Sequence, residues 1–388
     1  MTDWLTWQDT TPDDERRMRD LVRLFDEPRT VDDLGIGQIR DTLGDALFPG
    51  TSTVHARARY FLLVPWAFLK AARSSEGAGL LDKARKYERQ TVTALKSADA
   101  VGMIGRDIGA DLKTLPSQLY WSALRRYGIL RTDRPRGALR RFHPHHPDPD
   151  WDVEIPIPQG FPAGISGLEL QPEEADWLRE RILTATSGTY LSHLITHPAP
   201  SDDYAAPWDH PALDTAPELV QRLVHDAELF SLLMHGAQLL YNLMLGEAYA
   251  HAVEESSITV PDYPRHFDDW TGRVAADSDR LESWDVERFL GHVGSLNPNL
   301  REPTRWFVND WYAQVVKGGA LEPESSAARK LIRDRERLTK GDLSRLTHPQ
   351  LLQKWRGSSG SGRLLYRWPQ VRTLLDDLTT AKGSDARA

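Results

Sequence analysis

The sequence predicts a mainly α-helical protein: a multi-helix body around one long buried helix, with few or no strands. Three observations carry this. Apolar residues recur at spacings of three and four through most of the chain. From Pro217 to about Glu254 that period runs longest, with Leu219, Leu223, Leu229, Leu232, Leu233, Leu239, Leu240, Leu243 and Leu245 making it apolar on more than one side, as in a central helix. Period-two patterning is scarce, and only short runs near 153–157 and 363–367 qualify as strands.

Taken in order, residues 11–26 open on a cap-like Thr11-Pro12-Asp13 and place Met18, Leu21, Val22 and Phe25 at helical spacing. A second helix is expected from about Val31 to Leu47, ended by Pro49-Gly50. The run GTSTVHARARYFLLVPWAFLKAA enters a third, with Gly50 to Thr53 as its cap region. Leu81 to Ser97 and Gly105 to Leu112 read as helical. So does PSQLYWSALRRYG from Pro116, stopped by Gly128. Proline density then rises over 135–162 and the periodicity disappears. Helices are expected again over 171–186, 217–254, 266–282, 284–294, 302–318 and 323–340, then two short ones around the Gly/Ser loop GSSGSG within 341–381. No repeat of 20–50 residues is present. The implied organisation is an N-terminal helical lobe (1–141), a Pro-rich connection (142–170), a helical body (171–322) and a basic C-terminal segment (323–388).

Composition bounds the chemistry. The chain has no cysteine, so disulfides, thiolate zinc sites, iron–sulfur clusters and cysteine nucleophiles are excluded from it. Its opening is polar and acidic, not a secretory signal, and the apolar run at 60–69 is half a membrane span and contains Pro65. A cytoplasmic protein with no membrane partner is expected. The net charge of −8 hides an asymmetry: between Arg329 and Arg372 twelve Lys/Arg face three Asp/Glu, a local +9 that leaves −17 on the remainder.

That basic stretch is the leading candidate site. Arg329, Arg333, Arg337 and Lys340 share a helical face, Arg345 follows, and Trp355 and Trp368 flank the Gly/Ser loop with Arg363 and Arg367. Guanidinium groups bind phosphates bidentately, aromatic rings stack on bases, and a Gly/Ser loop lets backbone amides approach an anion. The competing readings are docking onto acidic groups of this chain or of a partner, and tryptophans that are simply core. A second cluster begins with Arg125 and Arg126 and continues through Arg131, Arg134, Arg136, Arg140 and Arg141; the alternative is a solvated loop. A third is GTSTVHARAR, where hydroxyl groups at a helix start precede Arg57 and Arg59 and suit an anion, unless they are only capping.

Catalytic patterns are incomplete. Walker and dinucleotide fingerprints are absent, and Gly-Ser-Ser-Gly-Ser-Gly is not a nucleophile elbow. His143, His145, His146 and Asp148 could chelate zinc or nickel, but the prolines among them favour a stiff loop. Glu247 and His251 are four apart and single-copy, unlike a helical di-metal site. No catalytic residue, metal ligand or cofactor is assigned.

The blocks DDLGIGQIRDTLGDALFPGTSTVHARARYFLLVPWAFL, VGMIGRDIGADLKTLPSQLYWSALRRYGI, LLYNLMLGE, LIRDRERLTKGDLSRL and YRW resemble a bacterial family catalogued as domain of unknown function 6361. The resemblance covers nearly the whole chain. It implies no established activity. Members resemble accessory components encoded near antiphage-defence and DNA-modification loci, which implies partner proteins of a defence or DNA-processing complex. One departure is His55, where a Thr or Gln-type residue is expected, so it is not assigned as a base. The expectation is a non-catalytic, nucleic-acid-associated component of such a complex. The alternatives are a metal-dependent nuclease with ungrouped ligands and a scaffold whose basic tail docks on an acidic partner.

Overall fold

The computed structural model describes residues 32–141, 149–152, 154, 156–199, 204–252, 258–317 and 321–383. Among them the α-helices are, in chain order, α1 (Gly37–Leu47), α2 (Tyr60–Ala72), α3 (Gly77–Ser97), α4 (Pro116–Arg126), α5 (Pro172–Ala185), α6 (Tyr190–Thr196) and α7 (Glu218–Ala252). There follow α8 (Tyr263–Ala276), α9 (Ser278–Ser283), α10 (Val286–Leu296), α11 (Glu302–Lys317), α12 (Ser326–Lys340) and α13 (Trp368–Gly383). The β pairing among the described residues is an isolated antiparallel bridge between Leu130 and Trp151.

The chain divides into two units, each discontinuous in sequence. The first takes in Leu47–Gln221 and 367–383; the second takes in 32–46 and Arg222–Tyr366. In the first, α2 buries Phe61, Trp66 and Phe68 and packs along α3, while α13 lies on α5. In the second, α7 is the centre. It is long and apolar enough to cross a membrane by length and composition, and 94% of its apolar window is buried within the protein. Trp270 of α8 and Trp311 of α11 donate their indole N–H groups to its Leu232 and Leu233 carbonyls at 2.9 and 2.8 Å. The approach is close enough to demand a glycine: a Cβ on Gly236 would stand 2.1 Å from the Trp270 ring.

Where the elements depart from expectation, local chemistry explains it. The helix expected from Val31 starts at Gly37, because Asp32 accepts from the amides of Ile36 and Gly37 at 2.8 and 2.9 Å and Gly35 turns with φ +63°. Gly50 to Thr53 do not cap the third helix. Residues 51–59 form turns and α2 begins at Tyr60. The helix expected over 105–112 is only a 3-10 turn, Gly109–Asp111, since Gly102, Gly105 and Gly109 all adopt positive φ. The stretch 266–282 breaks at Asp277 into α8 and α9, and α6 has no counterpart among the expected helices. After the Gly/Ser loop comes one 16-residue helix, α13, and before it a 3-10 segment, Pro349–Lys354. The run 363–367 is no strand: Tyr366 and Arg367 take φ of 51° and 70°. Leu219, at the start of α7, is exposed. The helix expected over 11–26 and the His143–Asp148 run lie outside the described residues, as do Val153 and Ile155 of the other strand candidate.

Candidate nucleic-acid interface

Helix α12 sorts its cations by face. Ala328 and Ile332 face the core beside Arg335, which is 6% exposed. Arg335 forms no ion pair among the described residues. It donates to the carbonyls of Leu34 (2.7 Å), Pro303 (2.8 Å) and Gly35 (3.0 Å) and to the Thr304 hydroxyl (2.9 Å), and lies over the Phe307 ring. Burial pulls its pKa down. Nearby Asp32 opposes that, and Arg301 adds to it. At the helix ends, Arg329 forks onto Glu247 at 2.6 and 2.8 Å, and Lys340 pairs with buried Asp33. Asp33 also takes Arg345 at 3.0 Å. Between these anchors Lys330, Arg333 and Arg337 stay exposed, at spacings of three and four, with Asp334 as the one acid in their row. The Lys330 ammonium holds the Asp334 carboxyl below its usual range, with help from Arg337 and Arg333. Lys354 and Arg356 are exposed further along.

The Gly/Ser loop is tied down. Ser359 exchanges backbone bonds with the Asn242 side chain, N–H to Oδ1 at 2.7 Å and Nδ2–H to the carbonyl at 2.9 Å. Its hydroxyl accepts from Arg345 (2.8 Å) and the Trp355 indole (3.2 Å), while Tyr263 donates to the Gly357 carbonyl at 2.8 Å. His235 fixes the far end. Arg273 has only donors, so its 3.2 Å approach makes Nδ1 the acceptor and leaves Nε2–H to donate to the Ser361 carbonyl at 3.1 Å. Burial, then Arg273 and Arg363, push this imidazole down to about 4, keeping it neutral. Arg363 is half-buried beside the same loop. Trp355 and Trp368 are 3% and 0% exposed, so both rings are core and present no face for a base.

In the first unit, Arg367 does meet the GTST turn, donating to the Thr51 carbonyl at 2.9 Å. Arg57 forks onto Asp377 at 2.7–3.1 Å, and Arg59 pairs with Glu174 at 3.0 Å. The Thr51 hydroxyl donates to the Phe48 carbonyl. His55 stacks on Tyr120 at 4.2 Å, and burial lowers its pKa to about 3, so it is a neutral ring. In the second cluster Arg125 donates to the Arg134 carbonyl, Arg131 and Arg134 pair with Asp152 and Asp150, and Arg136 lies over Trp121. Arg126, Arg140 and Arg141 are exposed.

The structure therefore brings Lys340 and Arg345 together on Asp33, and Arg367 to the GTST turn. Among the described residues no group of three or more His, Asp or Glu is placed to hold a metal ion. A basic row on α3, formed by Arg85, Lys86 and Arg89, is absent from the candidates read from sequence; its signal is the three- and four-residue spacing.

The model of the Family of unknown function (DUF6361) matches residues 2–382. No curated protein and no solved structure matches the chain. The match spans nearly every residue of both units, and the chain belongs to this family of unknown function, DUF6361.

Proposed function

We propose that the protein is a non-catalytic, nucleic-acid-associated component of a bacterial antiphage-defence or DNA-processing complex, working in the cytoplasm. The observation that supports it is the division of labour on α12. Arg329, Arg335 and Lys340 are spent holding the helix, while Lys330, Arg333 and Arg337 form an exposed row with a single acid beside them. Such a row binds phosphates without reading sequence. The test is fluorescence anisotropy with labelled duplex and single-stranded oligonucleotides over a salt series. Binding should weaken steeply with salt. Lys330→Ala/Arg333→Ala/Arg337→Ala should make the log–log slope shallower by about 2–3, since each phosphate left without its cation subtracts roughly 0.9. Replacing Lys340 should lower stability and leave the slope alone. Binding unchanged by the triple substitution sinks the proposal.

A second reading, a scaffold docking on another protein, is favoured by Leu338 and Leu343, 66% and 64% exposed in and just after the same helix. Co-purification with neighbouring gene products that survives nuclease treatment and fails in Leu338→Ser/Leu343→Ser supports it.

A further inference from the structure

Helix α3 forms the floor of a surface groove of about 450 Å³ in the first unit. Its lining positions follow helical spacing: Arg85, Lys86 and Arg89, then Gln90 and Thr93, with Ala110 of the neighbouring turn as a wall. The wall is fastened to the helix. Arg89 Nε donates to the Ala110 carbonyl at 3.1 Å, and Lys96 Nζ donates to the Asp107 carbonyl at 3.3 Å. Arg89 is thereby oriented through Nε, and its two terminal nitrogens bond to no group among the described residues. Lys86 is exposed and forms no ion pair among them. The one acid in the groove, Asp82, reaches Arg85 at 3.7 Å with both side chains at least half exposed, a pairing of little strength. The groove is thus shallow and cationic, with its wall tied to the helix.

Its chemistry selects among anions. Arg85 and Arg89 stand one helical turn apart, about 6 Å along the axis. The cations follow one another along the helix in a row, which suits an extended polyanion. No aromatic ring lines the groove, so nothing there stacks on a base. We propose that this groove seats the phosphodiester backbone of a nucleic acid, independent of sequence, as a surface additional to the α12 row. This rests on the reading of the protein as nucleic-acid-associated.

The experiment compares three full-length proteins by anisotropy with random-sequence DNA, duplex and single-stranded, over a salt series: wild type, Arg85→Ala/Lys86→Ala, and the α12 triple variant. Both groove residues are exposed, and an unchanged thermal midpoint shows that the variant is folded. The expected result is a shallower slope for the groove variant, by about 2, with a raised Kd. If the α12 variant weakens binding and the groove variant does not, the groove assignment fails and the α12 reading stands. If wild type does not bind either oligonucleotide, both fail. Polyglutamate that displaces DNA from wild type at equal charge concentration, with the groove variant no longer sensitive to it, overturns the assignment in favour of an acidic protein segment.

Discussion

Glu88 caps a helix that is not its own. From α3 it accepts the Ser117 amide at 2.7 Å and the Ser117 hydroxyl at 2.9 Å, at the first turn of α4, where Pro116 has no N–H to offer. The residue is 3% exposed. Burial raises its pKa from 4.5 to about 7; the bonds from Ser117 and the charges of Arg136 and Arg89 pull the other way without overcoming it. An unfolded chain binds this proton only below about 4.5, whereas the folded one keeps it up to about 7. The stability that comes from the protonated form is therefore complete below about 4.5 and is lost as pH rises through 7, on the order of 3 kcal/mol. Glu88→Gln keeps an acceptor for the amide and removes the titration. Urea unfolding at pH 5 and pH 8 should show a smaller difference between the two pH values in the variant than in wild type. An equal difference in both proteins refutes the assignment. Nothing in the sequence singles out Glu88, one charged residue in a helix rich in them. Only the packing of α3 against the next helix start gives it a role.

At the scale of elements, Glu336 organises the turn after α12. Its fully buried carboxylate accepts from the Tyr241 and Ser344 hydroxyls, each at 2.7 Å, and from the amides of Arg345 and Leu346 at 2.8 and 3.0 Å. Four donors converge on one side chain, so an amide in its place turns an N–H toward a donor. Glu336→Gln should cost about 3 kcal/mol, the scale for an unsatisfied buried group with lost charge-assisted bonds. Hydrogen exchange should show the Arg345 and Leu346 amides losing protection before those of α7; unchanged protection there would refute the role. This region also marks how far the sequence can be read. Periodicity locates α7 and α11 closely, because each buries an apolar stripe, and α12 too, although its buried face mixes Ala328 and Ile332 with Arg335 and Glu336. It does not separate Arg329 and Lys340 from Arg333 and Arg337, all on one helical face. The difference lies in Glu247 and Asp33, 82 and 307 residues away in the chain. The GSSGSG run reads as mobile by composition, yet Asn242, Tyr263 and His235 bind its backbone. Asn242 and His235, polar side chains within the apolar α7, are its signal.

For the whole molecule, the chain leaves and re-enters its first unit. Helix α13 sits there through Trp368, whose indole donates to the Tyr204 carbonyl at 2.9 Å, and through Arg179 donating to the Leu378 carbonyl at 2.7 Å. Val371, Leu374, Leu375 and Leu378 are buried with it. At about 2 kcal/mol for each buried apolar side chain, removing α13 forfeits on the order of 10 kcal/mol, as much as a domain's net stability. A chain stopped at Tyr366 should accordingly lose protease resistance across α2 to α5, while α7 to α12 keep theirs. Selective survival of the first unit would contradict this. Helical class and the central helix are legible from apolar periodicity. The discontinuous units are not, because they depend on pairs such as Arg57 and Asp377 that leave no local pattern.

That last pair also sets a clock. Arg57 and Asp377 are 320 residues apart, and synthesis at about 5–20 residues per second puts tens of seconds between them. Throughout that interval the nascent first unit carries an arginine without its carboxylate and an uncovered apolar groove where α13 will lie. Its completion waits on the synthesis of α13, so the last residues made are the ones that close the unit begun first.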